Sequence, residues 1–298
     1  MRSIRQISDS LRLLLAALLL FAAVTLASAA RPSEFTSIDF PGAVLTNAQG
    51  INPGGEIVGF YVDTAGKQHG FLLSGGIFTS IDYPGALVTA ARGINPGGDI
   101  VGSFVNAPGG PPNIHGFLLS QGTFSLVQFP GANFPGAIAQ RIGPNGDIYG
   151  CIHNTDLMGT MHGFVRTAEG YTALDLKASM HNGATPDGRL IVGLYTDMMT
   201  GLTHGYLIEN GNFAQLDVPG SNFTRGWDIN PAGDVVGEFR DAAGKVHGFL
   251  RTASGYSAVD FPGAIATRAF GINPGGDVVG SYLDSSGKTH GYLLSRAY

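Results

Sequence analysis

Hydrophobic and polar positions follow short alternating segments along the chain, and glycine or proline residues separate the segments. In the first repeat of this pattern the segments are FTSIDF at 35–40, TNAQGIN at 46–52, EIVGFYVD at 56–63 and HGFLLS at 69–74. A glycine-containing turn signal follows each segment. Short apolar alternation bounded by such signals is typical of β-strands. Each repeat therefore predicts four strands.

The four-segment pattern occurs six times. Each repeat opens with an aromatic residue, at Phe35, Phe78, Phe124, Tyr171, Phe213 and Tyr256. The central segments are apolar on both faces, so each small sheet must be covered on both sides. Repeated four-stranded sheets of this kind predict an all-β, six-bladed β-propeller of four-stranded blades. The first and last repeats are the most regular, which favours a closed ring over an open solenoid with atypical end repeats.

The two ends of the repeat array complement each other. The last repeat ends near Ser295 without a following FTSIDF-type strand, whereas the strand at 35–40 stands alone at the start of the array. We predict that residues 35–40 pair antiparallel with residues 290–295 and complete the last blade. This arrangement closes the ring and leaves no strand edge unpaired there.

A secretory leader is predicted at residues 1–29. Three arginines precede an apolar run from Leu13 to Leu26, and Ala27-Ser28-Ala29 fits a cleavage site for small residues. The run is shorter than the roughly 20 residues that span a bilayer. Residues 30–298 are therefore expected to be a single propeller domain, secreted or periplasmic, without a membrane span.

Charge and cysteine content narrow the function classes. The sequence has 17 Lys plus Arg and 22 Asp plus Glu, a net charge of −5. The predicted leader contains three of the arginines and one aspartate, so the remainder is more acidic still. An acidic balance argues against nucleic-acid binding. The single cysteine, Cys151, cannot form an internal disulfide, so apolar packing must hold the fold. We expect a monomer without a cofactor.

The repeats resemble a known family. Units with an Ile-Asn turn, a Val-Val-Gly or Ile-Val-Gly strand and an HGF or HGY tripeptide are similar to the bacterial extracellular HAF repeat family, named for His-Ala-Phe. This chain has glycine where the family has alanine, as at 69–71 and 290–292. The resemblance implies bacterial export and repeat structure, and it implies no defined enzymatic activity.

Histidines recur once in each repeat and are expected to be structural. Counting along the hairpin that closes at Gly75-Gly76 places His69 opposite Asp82, thirteen residues later. The predicted pairs are His69 with Asp82, His162 with Asp175, His204 with Asp217, His247 with Asp260, and, through ring closure, His290 with Asp39. A His–carboxylate hydrogen bond across two strands satisfies both polar groups. We expect these groups to hold no metal.

The repeated NPGGD turns resemble calcium loops only superficially. They lack the alternating oxygen ligands and the closing glutamate of an EF-hand, so a hairpin turn is the better interpretation. The glycine of each IVG segment, such as Gly59, has no following helix and is not part of a phosphate loop. Close packing between strands is the expected reason for it.

The third and fourth repeats depart most from the pattern and are the place to look for a site. Their loops at 153–162 and 196–204 replace a short turn with longer polar segments. The chain direction brings these loops to the end of the channel at which the inner strands begin. The candidate ligand-binding residues there are His153, Asp156, His181, Asp197, Arg225 and Arg268.

Two functions remain open from the sequence. The favoured interpretation is an exported, non-catalytic binding or scaffold propeller whose partner is an extracellular glycan or protein. The alternative is an extracellular glycan-acting hydrolase or lyase with its site at the channel mouth near repeats 3 and 4, using His153, His181 and a nearby carboxylate as acid and base.

Overall fold

The computed structural model describes residues 33–108, 113–130, 136–153, 161–174, 176 and 178–296. These residues belong to one compact unit, Ser33–Arg296. The predicted leader at 1–29 lies outside the described residues, as do Asp156 and Asp175. For His153 only the backbone is described.

The regular structure of the described residues consists of β-strands, which follow the repeats. The first twelve strands are β1 Glu34–Ile38, β2 Leu45–Ile51, β3 Ile57–Val62, β4 Gln68–Ser74, β5 Ile77–Ile81, β6 Val88–Ile94, β7 Ile100–Val105, β8 Ile114–Ser120, β9 Thr123–Val127, β10 Ala137–Ile142, β11 Ile148–His153 and β12 Met161–Thr167. The next twelve are β13 Gly170–Ala173, β14 Ser179–Ala184, β15 Leu190–Thr196, β16 Thr203–Glu209, β17 Asn212–Leu216, β18 Thr224–Ile229, β19 Val235–Arg240, β20 Val246–Thr252, β21 Gly255–Val259, β22 Ala266–Ile272, β23 Val278–Leu283 and β24 Thr289–Ser295.

These strands build a β-propeller, but the prediction of six separate four-stranded blades is wrong. Four blades are separate four-stranded sheets, in the orders β1-β24-β23-β22, β10-β11-β12-β13, β14-β15-β16-β17 and β18-β19-β20-β21. Strands β2–β9 form one eight-stranded sheet instead. The propeller therefore has four blades of the predicted kind and one wider sheet.

A parallel contact between β4 and β6 produces the wider sheet. Gln68 and Val88 pair there as a single parallel bridge. The Gln68 side chain adds a hydrogen bond from Nε2 to the Thr89 carbonyl oxygen, at 3.4 Å. Alternation and turn signals predict where strands begin and end, but they do not report whether neighbouring sheets exchange a backbone bridge. The sequence pattern therefore could not reveal the merged sheet.

The pairing of the two chain ends is confirmed. Strand β1 pairs antiparallel with β24, with Phe35 opposite Leu294 and Ile38 opposite Gly291. The Phe35 ring packs edge-on against Phe261 and Tyr292, with centroid separations of 5.3 and 5.4 Å. Backbone hydrogen bonds and aromatic packing thus both hold β1 in place.

The HGF and HGY tripeptides supply the core. Their aromatic residues are fully buried, at Phe71, Phe117, Phe164, Tyr206, Phe249 and Tyr292. Each ring lies over the glycine of the adjacent IVG-type strand. A methyl group at Gly59 would overlap the Asn47 carbonyl oxygen and would lie 2.8 Å from Phe71 Cε1. The repeated glycine therefore makes room for the repeated aromatic ring, as close strand packing predicts.

The innermost strands surround a central channel. Strands β2, β6, β10, β14, β18 and β22 contact one another in that order, and β22 contacts β2. Each inner strand begins at one end of the channel and runs to an Asn-Pro-type turn at the other end. The two ends of the channel are therefore built from different loops.

Candidate functional site

Each inner strand carries a β-bulge at the same position, and these bulges shape the channel. The pairing register shifts at Gln49, Arg92, Gln140, Asn182, Trp227 and Phe270. A bulge leaves its residue outside the regular hydrogen-bond ladder and turns its backbone away from the partner strand. The residue after the bulge is glycine in four repeats, but Arg141 and Asp228 occupy this position in two.

Arg141 and Asp228 form an ion pair at the channel axis. Arg141 Nε lies 3.2 Å from Asp228 Oδ2, and both side chains are 11% exposed. Burial is the largest influence on Asp228 and raises the pKa of its carboxyl, which the Arg141 charge opposes. Asp228 also accepts hydrogen bonds from the backbone N–H groups of Ile229 and Ile272, at 3.0 and 3.1 Å.

The Arg141 guanidinium is almost fully used by backbone carbonyls. Its Nη1 donates to the carbonyls of Arg92 and Gln140, at 2.9 and 2.8 Å. Its Nη2 donates to the carbonyl of Gln49, at 3.0 Å, and to that of Phe270. All four acceptors are bulge residues, so one side chain links the inner strands at the positions where their ladders are interrupted. This pair is a structural connection across the channel.

Beyond Arg141 and Asp228, towards the Asn-Pro turns, lies a cavity of about 110 Å³ that is open to solvent. Its wall includes Pro53, Pro96, Pro144, Pro186, Pro231 and Pro274. The turns satisfy their own polar groups, since Asn52 Oδ1 accepts from the Glu56 N–H at 3.0 Å and Asn52 Nδ2 donates to Glu56 Oε2 at 2.8 Å. This geometry is that of a hairpin turn.

At the opposite end of the channel, two arginines from neighbouring inner strands meet one glutamate. Arg268 Nε donates to Glu238 Oε2 at 2.9 Å, and Arg225 Nη1 lies 3.4 Å from Glu238 Oε1. Trp227 Nε1 donates to the same Oε1 at 3.3 Å. The Glu238 side chain is 5% exposed, whereas each arginine side chain is 36% exposed. We refer to these three charged residues as the Arg225–Glu238–Arg268 cluster.

Aromatic side chains fix the cluster. The Arg225 guanidinium lies over the Phe223 ring, with Cζ 4.6 Å from the ring centroid, and Arg240 lies over the same ring at 4.2 Å. Trp227 packs edge-on against Phe270, with centroids 5.4 Å apart. Cation–π contacts and the shared glutamate restrain side chains that would otherwise be flexible.

The cluster retains hydrogen-bond donors. A guanidinium has five N–H groups, and Arg268 uses only its Nε on Glu238. Among the described residues, no partner contacts Arg268 Nη1 or Nη2 by a hydrogen bond. The arrangement can therefore bind an acceptor group delivered from solvent.

The structure brings only part of the predicted candidate set together. Arg225 and Arg268 converge through Glu238. His181, on β14, is 3% exposed, and its Nδ1 lies 2.5 Å from the Tyr206 hydroxyl. Burial lowers the pKa of His181 to about 4, so the ring is neutral at pH 7. Asp197 Oδ1 accepts from the backbone N–H of Met199 at 2.8 Å, within its own turn.

The predicted His–Asp pairs lie within hydrogen-bond distance wherever both partners are described. Nδ1 of His69, His204, His247 and His290 lies 2.8, 2.7, 2.9 and 2.8 Å from a carboxylate oxygen of Asp82, Asp217, Asp260 and Asp39, respectively. The partner of His162, Asp175, lies outside the described residues, and His162 Nδ1 lies 3.1 Å from the Leu174 carbonyl oxygen. In the second repeat, His115 Nε2 lies 3.3 Å from Asn106 Oδ1.

A second carboxylate accompanies three of these histidines, which the sequence analysis missed. Nε2 of His69, His247 and His290 lies 3.3, 3.3 and 3.2 Å from Asp63, Asp241 and Asp284. The His69 ring also stacks on Tyr61, with centroids 5.0 Å apart. The six-residue interval between each Asp and the following His was visible in the repeats.

In the described residues, no group of three or more His, Cys, Asp or Glu side chains is arranged to hold a metal ion.

Glu238, Arg141 and Asp228 are further residues of the channel that were not predicted from the sequence. A position-by-position comparison of the repeats would have revealed them. Glu238 occupies a position that is Phe60, Ser103, Cys151, Leu194 or Ser281 elsewhere, and it is the only charged residue there. A lone charge at a repeated buried position must find a partner, because an unpaired buried charge is costly.

Comparison with known proteins supports the fold class. The sequence matches no protein-family model and no curated protein. The structure is similar to that of TolB from Acinetobacter baumannii, with a TM-score of 0.56 and 14% identity over 81% of this chain. This chain covers 64% of that TolB chain. Similarity at this identity shows the propeller fold alone.

Two further solved structures are similar to this chain. A triple arginine-to-alanine mutant of AofleA from Arthrobotrys oligospora has a TM-score of 0.51 and 10% identity, and the match covers 90% of this chain and 88% of that one. Aleuria aurantia lectin in complex with α-methyl-L-fucoside has a TM-score of 0.45 and 12% identity, and the match covers 76% of this chain and 77% of that one.

The described residues of this chain contain no helix with the length and apolar character needed to cross a bilayer.

Proposed function

We propose that this protein is an exported, non-catalytic binding or scaffold propeller that receives its ligand at the Arg225–Glu238–Arg268 cluster. The observation that carries this proposal is the pair of unused terminal donors of Arg268, held on a rigid inner strand by the Glu238 carboxylate that also binds Trp227. A fixed side chain loses little conformational entropy when a ligand binds, so such a site favours recognition. Export, to the bacterial periplasm or the medium, rests on the predicted leader at 1–29 and on the resemblance to HAF repeats.

The alternative hydrolase or lyase finds no specific support. It requires His181 as an acid or base, but the ring is 3% exposed and contacts the Tyr206 hydroxyl. A general acid or base must reach the proton that it transfers, within hydrogen-bond distance or through one water. The site that the described side chains do assemble presents guanidinium groups, which bind and orient acceptors.

The experiment is a binding screen of the exported chain against extracellular glycans, peptidoglycan fragments and peptides, followed by turnover assays on every hit. We expect saturable binding without release of product. Arg268→Gln should abolish this binding, whereas Arg189→Gln should not. Arg189 is an exposed arginine outside the cluster, and its Nη1 lies 2.8 Å from Glu209 Oε1. Release of a reaction product, or binding that is unchanged in Arg268→Gln, would contradict the proposal.

A further inference from the structure

We infer that the ligand of the Arg225–Glu238–Arg268 cluster is a carboxylate-bearing sugar, a hexuronate unit of an extracellular glycan. This inference rests on the proposed function and names the ligand class for that same site. Three features carry it: the charge balance of the cluster, the geometry of the unused Arg268 donors, and the aromatic and apolar surface beside them.

The charge balance favours a monoanion. Two guanidinium groups face one carboxylate, so the cluster itself has one net positive charge, and Arg240 over the Phe223 ring adds a second positive charge nearby. The charge of the cluster is neutralised by a single carboxylate. A phosphate dianion would need Arg240 as well, and Arg240 lies on Phe223 rather than on Glu238. The charge held at Glu238 is therefore matched by a carboxylate.

The donor geometry favours a planar group with two oxygens. Arg268 contacts Glu238 through Nε, so its two terminal nitrogens remain as a planar pair of donors. Two parallel N–H···O bonds from such a pair match a carboxylate, and a lysine ammonium cannot reproduce this geometry. Glu238 and the Phe223 contact of Arg225 hold the cluster before the ligand arrives.

The neighbouring surface favours a sugar ring as the carrier of that carboxylate. Trp227 is half-buried, its indole is oriented by the bond to Glu238, and it packs against Phe270. An indole face accepts the apolar C–H face of a pyranose while its edge remains polar. Ile265, three residues before Arg268 on the connector that enters β22, is 50% exposed. Its side chain offers further apolar contact to a neighbouring sugar unit.

The opposite end of the channel does not offer the same chemistry. Arg141 has an equal charge, but carbonyls of Gln49, Arg92, Gln140 and Phe270 and the Asp228 carboxylate surround it. Its donors would have to leave these acceptors before they could bind a ligand. The carboxylate of the ligand therefore belongs at the Arg225–Glu238–Arg268 cluster.

The test is calorimetric titration of the exported chain with trimers of galacturonate, glucuronate and mannuronate, each compared with its methyl ester. We expect at least one trimer to bind, and its ester to bind about tenfold or more weakly because the charge-assisted bonds are lost. Arg268→Lys keeps the charge and removes the planar donor pair, and it should also weaken binding about tenfold. Arg189→Gln is the matched control and should leave the affinity unchanged, and thermal melts check that each variant is folded.

Three results would overturn the inference. One is equal binding of a trimer and its ester, and another is tighter binding of a tripeptide with a free terminal carboxylate. The third is no binding of any uronate trimer. In each case the broad screen distinguishes the two proposals. If the parent binds a different ligand and Arg268→Gln does not, the proposed binding function is still supported and only the hexuronate inference is wrong. Absence of any Arg268-dependent ligand contradicts both.

Discussion

Two arginine–carboxylate clusters lie along the same channel, and they differ in what surrounds them. Arg141 and Asp228 are each 11% exposed, and Arg141 binds backbone carbonyls from four bulges. Arg225 and Arg268 are each 36% exposed and share Glu238. The residue types are the same, but the terminal donors of Arg141 bind backbone carbonyls, whereas those of Arg268 remain unused.

The number of unused donors, rather than the presence of charge, separates a structural connection from a binding site in this channel. A buried guanidinium whose terminal N–H groups meet fixed backbone acceptors holds strands together and has little left to offer a ligand. A guanidinium such as that of Arg268, whose Nε binds a carboxylate while its two terminal nitrogens remain unused, is positioned to bind a ligand.

Arg141→Met should destabilise the protein most. The change leaves four bulge carbonyls without their donor and leaves Asp228 as an uncompensated buried charge. Breaking a buried ion pair from one side costs about 3–5 kcal/mol. Urea unfolding should show this loss as a lower midpoint.

The double variant Arg141→Met with Asp228→Asn is the control for Arg141→Met. It removes the unpaired charge of Asp228 and should recover more than about 1 kcal/mol of the lost free energy of unfolding. An Arg141→Met protein that unfolds at the same urea concentration as the parent would contradict the structural role of the pair.

His181 extends the comparison to a buried polar group without charge. Burial lowers its pKa from 6.5 to about 4. Between these pH values the unfolded chain takes up a proton that the folded protein excludes. Stability that is present above pH 6.5 is therefore lost as the pH falls towards 4, by up to about 3 kcal/mol.

His181→Gln removes this proton uptake. Its free energy of unfolding should fall less steeply than that of the parent between pH 6.5 and 4, as measured by denaturant unfolding at several pH values. Parallel pH profiles for the two proteins would show that His181 is not the titrating group. The stability of the variant at pH 7.5 gives the separate cost of losing the contact with Tyr206.

Sequence patterns could predict the strands and the pairing of β1 with β24, because alternation, turn residues and a fixed repeat length act locally or by simple counting. They could not predict the merged eight-stranded sheet, which depends on one bridge between Gln68 and Val88. Arg225 and Arg268 could be singled out from their position near the start of inner strands. Glu238 was missed because alternation and turn signals describe one repeat at a time, whereas its charge stands out only when the equivalent positions of the six repeats are compared. One of its partners, Arg268, also lies in the next repeat.

Arg268→Gln should have a much smaller effect on stability than Arg141→Met. Glu238 keeps its contacts with Arg225 and Trp227, and the lost guanidinium is partly exposed. Partly exposed ion pairs contribute about 1 kcal/mol or less. Thermal and urea unfolding should therefore change little while ligand binding is lost. A loss comparable to that of Arg141→Met would place Arg268 among the structural connections.

The smallest expected effect concerns the chain ends, where His290 Nδ1 lies 2.8 Å from Asp39 Oδ1. The Asp39 side chain is 40% exposed, and His290 Nε2 also lies 3.2 Å from Asp284. Removing Asp39 therefore leaves the histidine with one carboxylate and with access to water. A double-mutant cycle with Asp39→Ala and His290→Ala should give a coupling of about 0.5 kcal/mol.

The pair His69 and Asp82 is the matched control for this cycle, because the same contact is made there within one hairpin, at 2.8 Å. If backbone pairing and Phe35 already hold β1 against β24, the two couplings should agree. A coupling that appears at His69 and is absent at His290 would mean that the β1 end of the ring is not held in this register in solution. A much larger coupling at His290 would mean that this single contact, rather than the whole strand, closes the ring.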